Sequence, residues 1–498
     1  MSKSLIDNVF EKTLKYLEQI PKDKRKDIGQ FFTSIETAKY MASMFVVPKK
    51  QELSILDPGS GSGILTAAVV DRLQKNSNIK HIYITCYETS RDVLPVLKNN
   101  LEYIRINSVI PVDYKIIEDN YITSQSDDFN GTLSKNPNPP KYDWIICNPP
   151  YKKIMRDAVE AISMPSICYG APNLYFLFTA MGLFNLDDNG EMVFIIPRSW
   201  TSGAYFQKFR KYLLEIGNLK QIHLFVSRNK VFEKEDVLQE TIIIKLDKSG
   251  INNSVKITCS KSNNDFDAIS TIIVPYSAIV VGPEKYVYLA TTTDELNVLK
   301  KLNRLQNTLP TIGFRMRTGL TVDFRSKHYL KNEPQEETIP LLYAQHIQNG
   351  RVVFPIQKEY EYITTEKNGL IQQNKNYLLV KRFTAKEEKR RLQCGIYLSD
   401  NFPDYEYIST QNKVNFIDGI GFDMTVEQAY GLYVIFNSTI YDQYYRILNG
   451  STQVNSTEVN SMPVPTLSEI ETLGSSLIQT NDFSVSVCDK LLGGLINE

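Results

Sequence analysis

From Leu53 to Leu246 short apolar runs alternate with longer stretches of helical period, and this alternation constrains the fold more than any other feature of the chain. "LSILDPGSGSG" leads into "ILTAAVVDRLQK", and "HIYITCYE" precedes a helical stretch from Val93 to Ile106. "VDYKIIEDNYI" and "YDWIICNPPY" follow; "NLYFLFTAMGLFNLDDNG" reads as a helix ending in a turn, and "EMVFIIPRSW" as another buried strand. Such a pattern predicts an α/β fold, an open and mainly parallel sheet with helices on both faces. "QIHLFV" and "ETIIIKL", separated by "SRNKVFEKEDVLQ", are expected to form an antiparallel edge hairpin.

With 498 residues the chain exceeds what one core holds, so more than one domain is expected. The Asn-, Ser- and Lys-rich stretch "DKSGINNSVKITCSKSNNDFD" reads as a linker or excursion, which predicts domains over 1–250 and 270–498. Beyond it tyrosines multiply and basic clusters appear, the signature of a second folded domain of mixed α+β content. At the amino end Leu5, Val9, Leu14 and Leu17, with Phe10 and Ile20, predict an amphipathic helix. No apolar run is long enough to span a bilayer, and the first residues do not read as a signal peptide. The six cysteines form no CxxC pair, which suits reduced, buried thiols in a cytoplasmic protein; four isolated histidines argue against a metal site. Basic and acidic residues balance at 56 each, so a polyanionic partner would have to be held by local patches.

Asp57-Pro58-Gly59-Ser60-Gly61-Ser62-Gly63 follows one strand and opens a helix. Its glycines allow a tight turn and close backbone approach, and the helix start offers unpaired N–H groups. The next strand ends in Tyr87-Glu88, which puts a carboxylate where a ribose diol would lie, and the third ends near Asp119-Asn120. Together these describe an adenosine pocket at the carboxyl edge of a sheet. An acid at the tip of the first strand repels a diphosphate but suits the ammonium of a methionine moiety, which favours S-adenosylmethionine over a dinucleotide.

The stretch "CNPPY" ends the fourth strand. Each proline fixes its own φ and holds the residue before it extended, so Asn148 is rigid. Its amide oxygen and the Pro149 carbonyl are expected to make two acceptors aimed at one point, a clamp for an exocyclic amino group. Such a clamp would draw the nitrogen towards sp³ geometry and stabilise positive charge developing during methyl transfer. Tyr151, read as exposed, would offer a flat face for a base, its hydroxyl free for water or backbone.

"GQFFTS" (29–34), "LDPGSGSG" (56–63), "CNPPY" (147–151) and "NKVFEKEDVLQETIIIKL" (229–246), in that order, resemble the N6-adenine DNA methyltransferases of restriction–modification systems, in the γ group typified by the TaqI enzyme. "RTGLTVDFR" (317–325), "KRFTAKEEKRR" (381–391) and "NGSTQVNSTEVNSMPVP" (449–465) resemble the PstI/BsuBI branch, so the likeness spans nearly the whole chain. It implies a Rossmann-like catalytic domain that uses S-adenosyl-L-methionine, followed by a target-recognition domain. Thr33 would contact the methionine end, Asp57, Gly59 and Gly61 would hold the methionine moiety, Glu88 the ribose, and Asp119 the adenine amino group. The family often places an aromatic residue after that acid; here Asn120 stands there, so stacking on the cofactor adenine must come from elsewhere. Asn148, Pro149, Tyr151 and Phe232 would form the catalytic set, with Phe232 and Tyr151 sandwiching the flipped adenine and Phe31 nearby.

A base inside a duplex cannot reach a buried methyl donor, so it must rotate out. Sequence choice would then fall to the second domain, where Arg315, Arg317, Arg325, Lys381, Arg382, Lys389, Arg390 and Arg391 are candidates for phosphates or guanine edges. Gln453 and Asn455 suit adenine edges or phosphates. The expected partners are double-stranded DNA, for which the PstI/BsuBI likeness suggests the site CTGCAG, and a separate restriction endonuclease from which methylation protects host DNA; a monomer suffices to flip one base. Three rivals stay open at this point: an N-methyltransferase acting on RNA or a protein glutamine, a fused nuclease built on "EEK" (387–389), and a DNA-binding module without activity.

Overall fold

The computed structural model describes residues 4–19, 33–75, 78–132, 138–170, 172–225, 240–250, 253–262, 265–365, 367–385 and 388–496. Phe31 and Phe232 lie outside them. The chain divides into two compact units, 1–291 and 292–498.

The first unit is built on a nine-stranded sheet. In chain order its strands are β1 (Glu52–Asp57), β2 (His81–Tyr87), β3 (Val112–Ile117), β4 (Tyr142–Cys147), β5 (Leu186–Pro197), β6 (Asn218–Phe225), β7 (Thr241–Asp247), β8 (Ser254–Ser260) and β9 (Ser270–Pro275). They lie in the order β3-β2-β1-β4-β5-β7-β6-β8-β9. β3 to β5 run parallel, and β7 is antiparallel to both β5 and β6. Every residue of β7 is buried, as expected of an inner strand covered on both faces.

Helices α1 (Leu5–Gln19), α2 (Ile35–Ser43), α3 (Ile64–Lys75), α4 (Leu94–Asn107), α5 (Leu174–Asn185) and α6 (Gln207–Ile216) belong to the same unit. The buried face of α1 carries Leu5 and Val9, as expected, together with Ile6 and Thr13; Phe10 and Leu14 are half-buried, and Ile20 and the Leu17 side chain lie outside the described residues. The Leu5 and Ile6 N–H groups donate to Asp71 of α3. The Thr13 hydroxyl donates to Ser62 Oγ (2.7 Å) and so ties α1 to the glycine loop.

Three readings are corrected. The 6–7 hairpin forms but is not the edge, because β8 pairs parallel with β6 and β9 antiparallel with β8. The supposed linker therefore contributes a strand, "SVKITCS", whose alternate residues pack inward, and the first unit extends to Thr291 rather than ending near 250. "LDDNG" is not a turn after the helix but the start of β5: Leu186 pairs with Tyr142 and Glu191 with Trp144, so the residues between form a bulge.

The second unit carries a six-stranded sheet, in the order Phe314–Thr318, Val414–Gly419, Tyr377–Lys381, Cys394–Tyr397, Arg351–Val352 and Ile347–Gln348, and a separate five-stranded sheet. Helices Val426–Asn437 and Leu467–Thr480 cross at a point where only glycine fits: a Cβ on Gly431 would stand 1.9 Å from the Ile470 carbonyl oxygen. The mixed α+β content matches expectation. All six cysteines are free. Among the described residues no helix is long and apolar enough to cross a membrane, and no group of three or more His, Cys, Asp or Glu is placed to hold a metal.

Candidate active site

The carboxyl ends of β1, β2, β3 and β4 surround a cavity of about 440 Å³, within the range that takes a cofactor-sized ligand. Thr33, Gly59, Gly61, Glu88, Asp119, Asn120 and Asn148 all line it. Residues brought together from five separate stretches of sequence thus share one wall.

The glycine loop starts at Asp57 and turns into α3. Gly61 (φ +54°) and Gly63 (φ +82°) lie in the left-handed region, where side chains are strained. Gly59 does not, and a Cβ there would make only ordinary contacts with Cys147 and Phe178. The loop is braced from several directions: the Ser60 N–H donates to the Tyr87 carbonyl (3.1 Å), and the Asn100 amide donates to the Ser62 carbonyl (2.8 Å).

Glu88 accepts from the Gly61 N–H (3.0 Å) and the Ser90 N–H (2.8 Å), so one carboxylate fastens the loop to the end of β2. Burial raises its pKa, and those two N–H groups oppose the rise. Asp57 is fully buried. Its Oδ2 accepts from the Thr66 hydroxyl (3.0 Å), while among the described residues Oδ1 has no partner in hydrogen-bond geometry. Burial, aided by the Glu88 charge and opposed by Thr66, pushes this carboxyl up to about 7. A buried acid with one oxygen orphaned at a ligand loop fits a cationic amino group, which would supply both the missing donor and the counter-charge.

Asp119 is exposed at the cavity rim beyond β3. Asn120 is engaged locally: Oδ1 accepts from the Ile122 and Thr123 N–H groups, and Nδ2 donates to Glu160 (2.9 Å). Sequence reasoning missed the flat apolar lining, Tyr121 and Phe178. Tyr121 packs against Phe178 with ring centres 5.3 Å apart, and its hydroxyl donates to Asn185 (2.7 Å). A findable signal was the helix N-cap: Asn173 starts α5, and Leu174 and Phe178, one turn apart, both face the cavity.

At the end of β4 the Asn148 amide is held at both atoms. Nδ2 donates to Thr33 Oγ1 (3.2 Å), and Oδ1 accepts from the Tyr151 hydroxyl (2.8 Å). Tyr151 departs from its expectation. It is only 7% exposed rather than open to solvent, while its hydroxyl meets a backbone group, as one of the two expected alternatives had it, the Ile195 carbonyl of β5 (2.9 Å). Two acceptors in reach draw the ring inward, where it meets Tyr175 edge-on. The phenol is consequently pushed well above its ordinary pKa by burial.

In the second unit Arg315 and Arg317 project from one face of the strand Phe314–Thr318, both exposed; Arg325 and Lys389 are also exposed. Lys381 and Arg390 share the wall of a second cavity. Arg390 donates to the Ser438 carbonyl (3.0 Å). Arg382 donates to the Asn412 carbonyl (2.9 Å) and to Gln453 Oε1 (3.3 Å), so those two candidates are joined. Asn455 occupies the N-cap of the short helix Ser456–Asn460 without a side-chain cap bond. Arg391 is a correction: it is fully buried, bonded to Thr384 and the Ser451 carbonyl and set over Tyr445, so it is structural.

The fold and this cavity define an S-adenosyl-L-methionine-dependent methyltransferase. Residues 67–232 match the family described as Eco57I restriction-modification methylase. The chain is 33% identical to the type II methyltransferase M.PstI of Providencia stuartii, over 98% of this chain and 96% of that one. It is 34% identical to M.BsuBI of Bacillus subtilis, over 95% of each. The protein therefore belongs to the type II methyltransferases of restriction–modification systems, and S-adenosyl-L-methionine is its cofactor. The type IIL restriction-modification enzyme MmeI, solved in complex with DNA, shares the fold over 96% of this chain and 69% of its own, with a TM-score of 0.53 and 12% identity.

Proposed function

We propose that the protein methylates N6 of an adenine turned out of a DNA duplex at a specific sequence, and so shields that DNA from a separate restriction endonuclease. The observation that carries this reading is the fixed Asn148 amide on the wall of the cofactor cavity. When bound, S-adenosyl-L-methionine supplies an electrophilic methyl group on a sulfonium.

The chain's own residues do the rest. Asp57 holds the ammonium, Glu88 the ribose and Asp119 the adenine amino group, while Thr33 keeps the Asn148 amide from flipping. Asn148 Oδ1 has two lone pairs: Tyr151 engages one, and the other, with the Pro149 carbonyl, accepts from the target amine. These preorganised acceptors stabilise the positive charge that grows on the nitrogen as the methyl arrives. Tyr151 and Phe232 flank the base, with Phe31 close by. Extruding the base costs a few kcal/mol, offset by these walls.

The second unit reads the sequence. Arg315, Arg317, Arg325, Lys381 and Arg390 meet phosphates or guanine edges, and Arg382 acts together with Gln453, beside Asn455. The protein works as a monomer.

The test is to incubate the pure protein with plasmid DNA and methyl-labelled cofactor, digest to nucleosides and map the label. N6-methyladenine at one repeated sequence is expected, and the likeness to the PstI/BsuBI branch suggests CTGCAG. Label on cytosine, on RNA or on protein glutamine, with none on adenine, overturns the proposal.

A further inference from the structure

The stretch that follows Tyr151, "KKIMR" (152–156), is pinned to the chain that leads into α5. Lys153 forms an antiparallel bridge with Asn173. The Ile154 N–H donates to the Pro172 carbonyl (3.0 Å), and the Leu174 N–H to the Lys152 carbonyl (2.9 Å). Arg156 Nε donates to the Gly170 carbonyl (3.0 Å), and the Ala158 N–H closes a turn on the Met155 carbonyl (3.2 Å). On this fixed frame Ile154 is half-buried, but Met155 is 74% exposed.

A lone apolar side chain at the surface is ordinary. Met155, however, stands in a run with Lys152, Lys153 and Arg156, all exposed and, among the described residues, none in an ion pair. Val159 and Ile162, in the short helix Val159–Ser163, are exposed as well. Apolar surface alone would suit a protein partner, whereas three cations within five residues favour a polyanion. Of the two acids that follow, Asp157 is exposed and Glu160 is engaged by Asn120.

The cavity fixes where such a polyanion would lie. Lys152 lines it together with Asn148, and Met155 is at most about 10 Å further along the chain. A nucleotide whose base enters this cavity stays joined to its strand, so the duplex that the base has left must lie at the cavity mouth. The turn 152–156 stands there.

We propose that this turn meets the duplex from which the target base has been turned out, Met155 entering the stack at the vacated place while Lys153 and Arg156 meet flanking phosphates. The inference rests on the proposed turning-out of the base. Apolar side chains, methionine among them, wedge between base steps where stacking is broken, and one placed here would oppose the return of the base. A long, unbranched side chain suits that gap.

The test compares two duplexes carrying the mapped site, one fully paired and one in which the target adenine faces a mismatched base and so costs less to turn out. On the paired duplex Met155→Ala should lose about tenfold in kcat/KM, the size of one partly buried apolar side chain. On the mismatched duplex the loss should be no more than about twofold, because extrusion is already eased. Any effect of the mismatch on site recognition is common to both proteins and cancels. Met155→Leu keeps the apolar bulk and should stay near native on both, and cofactor affinity should be unchanged in either variant. Lys153→Gln should lower the slope of log Kd for DNA against log salt by about one. Equal losses by Met155→Ala on the two duplexes mark a structural role and overturn the proposal. Full activity of Met155→Ala on the paired duplex leaves this surface to a protein partner and also overturns it, as does an unchanged salt slope in Lys153→Gln. Failure of the native protein to methylate either duplex would instead overturn the reading beneath the proposal.

Discussion

At the glycine-loop end of the cavity what is held in place is main chain. Glu88 ties the Gly61 and Ser90 amides, the Ser60 amide reaches the Tyr87 carbonyl, and Asn100 holds the Ser62 carbonyl. At the Asn148 end what is held is itself a side chain: the Thr33 and Tyr151 hydroxyls fix one amide. Backbone geometry persists when a single side chain is trimmed, whereas the orientation of an amide held by two hydroxyls weakens with the loss of one and fails with the loss of both. The first end should therefore respond to mutation chiefly in binding, and the second chiefly in turnover.

The largest effect expected is at Asn148. Asn148→Ala removes one preorganised acceptor and should lower kcat by about 10²–10³, by analogy with the loss of a single preorganised polar partner. The cofactor Kd, measured by calorimetry, should stay within about threefold, because an uncharged hydrogen bond is worth only about 1 kcal/mol net. Unimpaired turnover would dissolve the difference between the two ends.

Glu88→Ala should do the reverse. Losing the charged acceptor should raise the cofactor Kd about 10- to 100-fold and leave kcat at saturating cofactor within severalfold. Because the same carboxylate fastens Gly61 to Ser90, Glu88→Gln should restore only part of the affinity: one amide oxygen replaces two carboxylate oxygens. An unchanged Kd in Glu88→Ala would put the ribose elsewhere.

The two ends also differ in how far the sequence disclosed them. A glycine loop between strand and helix, or an acid at a strand tip, is a local pattern: Asp57 ends β1, and Glu88 and Asp119 follow the ends of β2 and β3, the latter two lining the cavity and Asp57 buried behind its loop. The inward turn of Tyr151 depends on the Ile195 carbonyl, 44 residues away. Arg391 reads as a surface charge inside "KEEKRR" because only tertiary packing puts it among Thr384, Ser451 and Tyr445. Strand β8 was hidden for a different reason. Its Asn- and Ser-rich flanks gave a linker-like composition that masked the alternation in "SVKITCS".

Titration sharpens the comparison at Asp57. Burial raises this carboxyl to about 7 in the free protein, and an ammonium ligand requires it ionised. Below pH 7 each binding event must expel a proton, so the cofactor Kd should rise by about tenfold for each unit the pH falls. Above 7 the carboxyl is already ionised and this dependence should level off. Asp57→Asn should bind more weakly and show no such slope between pH 5.5 and 7. A native profile that is flat there would place the ammonium away from Asp57.

The smallest effect separates the Tyr151 ring from its hydroxyl. Tyr151→Phe keeps the buried ring and its edge contact with Tyr175, and removes the donor to Asn148 Oδ1 and the Ile195 carbonyl. If the hydroxyl serves to orient the amide, kcat should fall about 3- to 10-fold, the value of one neutral hydrogen bond, with DNA KM and cofactor Kd unmoved. Thr33→Val removes the opposite brace and should cost a similar factor. Each hydroxyl compensates in part for loss of the other, so the double variant should lose more than the product of the single losses. Strictly multiplicative losses would show that the hydroxyls act separately and that the amide is fixed by the Asn-Pro-Pro backbone, in which case both ends of the cavity are main-chain structures and the contrast between them fails.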